Sequence, residues 1–199
     1  VAVMVGGGGG GGSGVGVFFL VVSLHSWIFL FPFSFPFSSP PLHPPSFFVP
    51  PPSNPSHSDL LEATRIILRD VPHVNRVVYN LSGTAAPTSF TSLAATMTKD
   101  RLGLLRECDH FVMEGLRRHN LYDSIWQCPT AMVPMSIDGK GTELVVVRPV
   151  HTKRAMTARP ASFPSLLIEE LRREVLVLDG VSGLCLDLTS KPPGTIEWE

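Results

Sequence analysis

The stretch Thr130-Ala131-Met132-Val133-Pro134-Met135-Ser136-Ile137-Asp138-Gly139-Lys140-Gly141-Thr142-Glu143-Leu144-Val145-Val146-Val147-Arg148-Pro149-Val150 decides the fold. Its flanks are apolar and rich in valine, and Asp138-Gly139-Lys140-Gly141 between them is the kind of turn-rich connection that lets a chain double back. The stretch predicts two strands, 130–137 and 143–150, folded as a hairpin. Proline has no N–H to give to a ladder, so Pro134 belongs at an edge or a bulge.

Upstream of the hairpin, Thr98 is placed to cap a long amphipathic helix. Leu102, Leu105, Val112, Met113 and Leu116 line one face of it, and it ends near His119-Asn120. Before it, Asp59 with Glu62 resembles a capping box, and Leu60, Ala63 and Ile67 fall at helical spacing up to Arg69. Val71-Pro72 stops that helix. The β-branched and aromatic run 75–81 then reads as a strand, and a polar loop follows to about Met97. Downstream, 165–178 predicts a helix ended by Asp179-Gly180, and 184–188 predicts a last strand leading into the tail. Helix, strand, helix, strand, strand, helix, strand implies an α+β fold: a small mixed or antiparallel sheet with helices on one face. A faint internal echo aligns 65–83 with 172–190, as two half-units of one αβ type would.

Charge divides the chain in two. Residues 1–58 carry no Asp, Glu, Lys or Arg, so the net charge of −1 belongs to 59–199. The first part runs from a glycine tract through an apolar run at 15–31 into a Pro/Ser/Phe segment, a composition that cannot pack a core. It reads as a low-complexity leader, disordered or non-native, ahead of a folded domain at 59–199. The 15–31 run is at the short limit for a membrane span and has no flanking Lys or Arg, which argues against a membrane anchor. In the folded part the two signs are interspersed, without the basic stripe that nucleic acid requires.

Cys108, Cys128 and Cys185 are too few and too far apart for a disulfide framework or a zinc site, and read as buried thiols of a reducing, cytoplasmic compartment. Cys108 and His110 are near neighbours on one helix and do not face each other, so no catalytic Cys-His pair forms there. No catalytic residue and no metal ligand is assigned. Asn80-Leu81-Ser82 matches a glycosylation sequon by coincidence.

The chain end, Lys191-Pro192-Pro193-Gly194-Thr195-Ile196-Glu197-Trp198-Glu199, is unusually loaded. Lys191 offers a point charge suited to phosphate, and Pro192-Pro193 is expected to hold the segment extended. Gly194 allows close backbone approach to a ligand, Glu197 can accept hydrogen bonds from a diol or an N–H, and Trp198 can bury its ring as an anchor.

This ending, with Asp187-Leu188 before it, resembles the C-terminus of glutamine-hydrolysing GMP synthases. The segments 74–79, 105–110, 120–127 and 156–158 agree in order, so the resemblance spans roughly 61–199. The additional upstream copy of Asn-Arg-Val-Val-Tyr is similar to the enlarged eukaryotic form of this region.

The resemblance implies ATP-dependent amination of xanthosine monophosphate (XMP) to GMP, with ATP and magnesium used by the full-length family. It also implies a C-terminal region that dimerises and closes over XMP. Carried over residue by residue, Gln127, Lys191 and Glu197 match positions that contact XMP. Arg148 is a weaker candidate for a phosphate or dimer contact.

The departures bear on function. The phosphate-cradling Ser-Gly-Gly-Val-Asp-Ser type of loop occurs nowhere in the chain, nor does a glutaminase cysteine in a glycine-rich elbow, nor the Val-x-Gly-Asp-x-Arg stretch. An acidic position before Met156 is Arg154-Ala155, and the arginine expected early in the last strand is Gly183. The chain therefore reads as the C-terminal part of a GMP synthase, a fragment that is inactive alone, binds no cofactor of its own, and supplies dimerisation and XMP contacts. The alternative is a non-catalytic α+β dimerisation or ligand-binding module, with or without an anchor at 15–31.

Overall fold

The computed structural model describes residues 2–6, 17–21, 56–71, 74–82 and 89–198. Helix α1, His57–Asp70, starts one turn before the expected box. The Ser56 hydroxyl accepts the Asp59 N–H at 3.2 Å and the Asp59 carboxylate accepts the Ser56 N–H at 2.9 Å. Asp59 is thus the distal partner of the box, and Glu62 pairs with Arg65 instead. The helix buries Leu60, Thr64 and Ile67 and is capped at Val71, as expected; Pro72 lies outside the described residues.

Helix α2, Lys99–Arg118, is capped by Thr98 and stops at His119, where Asn120 takes a φ of 57°. Its inward face carries Val112, Met113 and Leu116 as expected, with Leu104 and Cys108 meeting the core in place of Leu102 and Leu105. Arg101 grips Glu143 with both prongs, Nε to Oε1 at 2.6 Å and Nη2 to Oε2 at 3.0 Å, laying the first turn against the hairpin. Helix α3, Ser165–Val175, is shorter than the expected 165–178, and the chain turns through Gly180 at a φ of 91°. Gly115 permits α2 to cross α3 closely, since a Cβ there would lie 2.6 Å from Leu167 Cδ1.

The hairpin forms as read. Strand β5, Thr130–Ile137, runs antiparallel to β6, Glu143–Val147, with Thr130 opposite Val147 and Pro134 opposite Glu143. A short strand, β4, Phe90–Ser92, pairs only with Met135 to Ile137 of β5, so Pro134 sits where the outer neighbour ends. Sequence reasoning took β4 for loop: three residues, two of them polar and exposed, leave no period to detect.

Beyond Val147 the chain leaves the main sheet and forms a small ladder between β7, Val150–His151, and β8, Arg159–Pro160. The last strand, β9, Val181–Asp187, lies parallel to β6 and antiparallel to β3, Val74–Asn80, which makes the sheet mixed. Two further strands, β1, Ala2–Gly6, and β2, Val17–Val21, pair with each other, and β1 also pairs with β3. The rest of the expected leader, including most of the 15–31 run, lies outside the described residues. Among those described, no helix is long and apolar enough to cross a membrane.

All three helices pack on one sheet face, against Val77, Val145, Val147, Leu184 and Leu186. The other face gathers Val78, Met135, Ile137, Leu144, Val146 and Cys185 under Phe90 and Trp198. Strands β6 and β9 are therefore buried along their whole length, and β6 reads as an unbroken valine run for that reason.

The internal echo has a geometric counterpart. Aligned without gaps, 65–83 and 172–190 make Tyr79 the equivalent of Leu186, and those two residues pair with each other across β3 and β9. The surrounding bonds repeat about that point. Leu81 N–H donates to Leu184 O at 2.8 Å, and Leu188 N–H to Val77 O at 2.9 Å. Leu184 N–H donates to Ser82 Oγ, and Val77 N–H to Thr189 Oγ1, both at 2.8 Å. Even the local turns correspond, with Ser82 N–H on Asn80 Oδ1 at 2.9 Å and Thr189 N–H on Asp187 Oδ1 at 2.7 Å. Two half-units thus meet about a local two-fold axis. The symmetry fails at one charged pair: Arg76 and Asp187 touch, while their counterparts are Gly183 and Asn80.

Candidate functional site

Strand β9 delivers the chain to its tail through a buried charge cluster. Asp187 is fully buried, and its Oδ2 receives Arg76 Nη1 at 3.2 Å, Arg148 Nη1 at 2.9 Å and Trp198 Nε1 at 2.8 Å. Arg76 continues outward to the tail, donating to Thr195 O at 2.9 Å, Thr195 Oγ1 at 2.5 Å and Glu197 O at 2.7 Å. Its guanidinium also stands 5.3 Å from the centre of the Trp198 ring, a cation–π distance. Arg148 donates from Nε to Ile196 O at 3.0 Å and from Nη1 to Thr189 O at 2.9 Å. A guanidinium suits this task because its donors form a rigid planar fork. Burial pulls the Arg148 pKa down and neighbouring Arg76 adds to this, while Asp187 opposes both. Arg148 Nη2 has no hydrogen-bond partner among the described residues.

The expected XMP residues lie around the β7–β8 ladder. Gln127 pairs through its backbone with Val150, receiving Val150 N–H at 2.8 Å. Lys191 pairs through its backbone with Ala158, at 3.1 and 2.9 Å. Ile196 is buried with Val150 and Ala158 and seats the tail on the same ladder. The Gln127 amide comes within 3.5 Å of the Glu197 carboxylate, both side chains being exposed. Lys191 is half-buried on the adjoining rung, and among the described residues no side-chain hydrogen bond joins it to either. The structure therefore brings Gln127 and Glu197 together and leaves Lys191 beside them.

Other expectations need correction. Arg148 is completely buried, so its guanidinium is turned to the tail's own carbonyls and is closed to a phosphate or a second copy in this conformation. Pro192-Pro193 does not extend the segment: Gly194 N–H returns to Ser190 O at 3.0 Å, so the tail turns here. Gly194 makes its close approach to protein rather than ligand, because a Cβ would lie 2.9 Å from Thr189 Cγ2 and 3.1 Å from Arg76 Nη1. Trp198 anchors the tail as expected. The position before Met156 is an exposed loop held by Thr152, whose Oγ1 donates to Thr157 O at 2.6 Å and accepts Ala155 N–H at 3.0 Å; Arg154 is exposed on it.

A half-buried ammonium beside an exposed amide and carboxylate can hold a polar anionic ligand. The thiols cannot act as nucleophiles, since burial raises Cys108 and Cys185 to about 12 and Cys128 higher still. Among the described residues no group of His, Cys, Asp and Glu is placed to hold a metal. Sequence reasoning missed Arg76, Asp187 and Thr195 as a unit. Arg76 stood in a quoted segment, but its partners lie more than a hundred positions away, beyond any local pattern.

Residues 114–198 match the family model described as GMP synthase C terminal domain. The chain is 41% identical over 96 residues to a probable glutamine-hydrolyzing GMP synthase of Leptospira interrogans, covering 48% of this chain and 16% of that protein. It is 36% identical over 110 residues to the glutamine-hydrolyzing GMP synthase of Thermotoga petrophila, covering 52% and 22%. The enzyme of Leifsonia xyli is 36% identical over 115 residues, covering 54% and 23%. The chain thus spans about a fifth of the length of these relatives, and the matched part runs from within α2 to the anchored Trp198. Residues 114–198 are thus similar to the C-terminal domain of GMP synthases.

Proposed function

We propose that the folded part of this chain provides XMP-binding contacts to the GMP synthase reaction, the ATP- and glutamine-dependent amination of XMP. The observation that carries this reading is the Gln127–Glu197 contact, which sets a carboxylate and an amide side by side on a fixed tail next to an ammonium. Lys191 would meet the 5'-phosphate as a compact cation, and Glu197 would accept from sugar hydroxyls or a base N–H. Gln127 can donate to Glu197 and use its carbonyl toward the nucleotide. The adenylylating and glutaminase steps need motifs that these 199 residues do not contain, so this chain's part is binding. The reading includes association of two copies, which light scattering on the full chain tests.

Titration calorimetry of XMP and of xanthosine into the full chain tests the binding role. Lys191→Ala should weaken XMP roughly two- to fivefold, as loss of one charge contact at the surface does, and leave xanthosine unchanged. Absence of XMP binding by the wild-type chain, or equal losses for both ligands, would overturn the assignment.

A further inference from the structure

We propose that Arg76 and Arg148 are positioning residues, which fix the tail so that Lys191 and Glu197 face one ligand; the ligand's identity rests on the reading above. From Lys191 to Trp198 the tail contains no helix or strand, and a chain end without such support frays. Its backbone holds to Ala158 at Lys191, and its indole holds to Asp187 at Trp198. Between those points the carbonyls of Thr195, Ile196 and Glu197 are taken by guanidinium donors of Arg76 and Arg148. Both guanidinia are themselves pinned on one buried carboxylate, Asp187. Charge-assisted bonds of this kind are short and directional, and their ends on Arg76, Arg148 and Asp187 are buried.

The clamp is thus assembled from three places: β3 sends Arg76, the link directly after β6 sends Arg148, and β9 supplies the carboxylate between them. Arg76 reaches Thr195 and Glu197 across more than a hundred positions of sequence, so the tail's geometry depends on a half-unit outside the tail's own. Lysine cannot replace Arg76, because one ammonium cannot span Asp187, Thr195 and Glu197 together.

The test uses the full chain with Trp27 and Trp126 replaced by Phe, so that emission reports Trp198 alone. Arg76→Met should shift that emission to the red, expose the tail to carboxypeptidase and weaken XMP about tenfold, the loss expected for bonds to a charged donor. Arg76→Lys should fall between wild type and Arg76→Met. The loss should persist at high salt, whereas the Lys191→Ala loss should shrink, because only the exposed contact is screened.

If Arg76→Met does not fold, Gly194→Ala crowds the same guanidinium from the tail side and should give the same emission and digestion changes. Unchanged emission and digestion in a folded variant would overturn the clamp, whatever XMP does. A loosened tail with unchanged XMP affinity would overturn the positioning role. If wild type binds no XMP, the nucleotide reading and the positioning role fail together, while the Trp198 signals still decide whether the clamp exists.

Discussion

Asp187→Asn is the sharpest perturbation of this architecture, because it keeps the shape, removes the charge and turns the acceptor that meets three N–H donors into a donor. Asp187 and Arg148 have no exposed surface and Arg76 is 4% exposed, so water cannot replace the lost carboxylate. Asparagine keeps one acceptor for the Thr189 N–H but leaves two buried guanidinia without a counter-charge. Removing one partner of a buried ion pair costs about 3–5 kcal/mol. The tail carbonyls remain bound to both arginines and offset part of this, which favours the lower end, about 3 kcal/mol. Against the 5–15 kcal/mol of a typical domain that is a large fraction, corresponding to a Tm lower by roughly 6–12 °C. Urea unfolding of the full chain, followed by circular dichroism, measures it. Asn80→Ala is the control, since Asn80 occupies the equivalent position in the other half-unit and, among the described residues, its side chain holds the Ser82 N–H alone, worth about 1 kcal/mol. A loss below about 1 kcal/mol for Asp187→Asn, or one equal to the control, would refute the claim that buried charge holds the tail.

Two further outcomes follow from the helices and the hairpin. Glu170 on α3 is held below the ordinary carboxylate value of 4.5, chiefly by the hydrogen bond with His119, with Arg118 adding to it and burial opposing. A carboxyl whose folded pKa is depressed contributes stability that is present above its unfolded value and lost as pH falls through the folded one. The urea midpoint of the wild type should therefore fall more steeply below about pH 4.5 than that of Glu170→Gln, and parallel curves would rule this out. Gly141 takes a φ of 54°, and a Cβ there would lie 2.5 Å from Val181 backbone carbon, whereas Gly139, at 71°, has open space around it. Gly141→Ala should cost roughly 2–4 kcal/mol and Gly139→Ala about 1, as backbone strain with and without a clash predicts; equal losses by urea unfolding would contradict the crowding.

The parts of the fold written in local chemistry were legible. Thr98, the valine run of β6 and Asp138-Gly139 act on their immediate neighbours, and the capped helix and the hairpin appear where those residues lie. The capping box slipped by one turn because Ser56 and Asp59 offer the same spacing as Asp59 and Glu62, and only the start of packing distinguishes them. β4 was invisible because its pairing with β5, and not its composition, makes it a strand. At the candidate site, the tail's loaded composition pointed to Glu197 and Trp198. What the tail was fastened to could not be read, since Arg76 and Arg148 look in sequence like ordinary strand arginines. Only their shared burial on Asp187 turns them inward.

The local two-fold relating the half-units has a consequence for which charges the protein tolerates. At one end of the β3–β9 pairing Arg76 of the first half meets Asp187 of the second, and at the symmetry-related end stand Gly183 and Asn80, so both members of the pair are missing together there and no lone buried charge remains. The asymmetry also has a direction. Beyond Asp187 the chain continues into a tail whose carbonyls need donors; beyond Asn80 it passes Ser82 toward a polar stretch. A side chain starting from Gly183 would run into Ile137 Cδ1 at 2.8 Å and Ser82 Oγ at 3.0 Å. Repetition of an αβ unit has thus produced two unequal specialists: one copy carries the fastening on its own strand, and its twin lends the arginine that closes it.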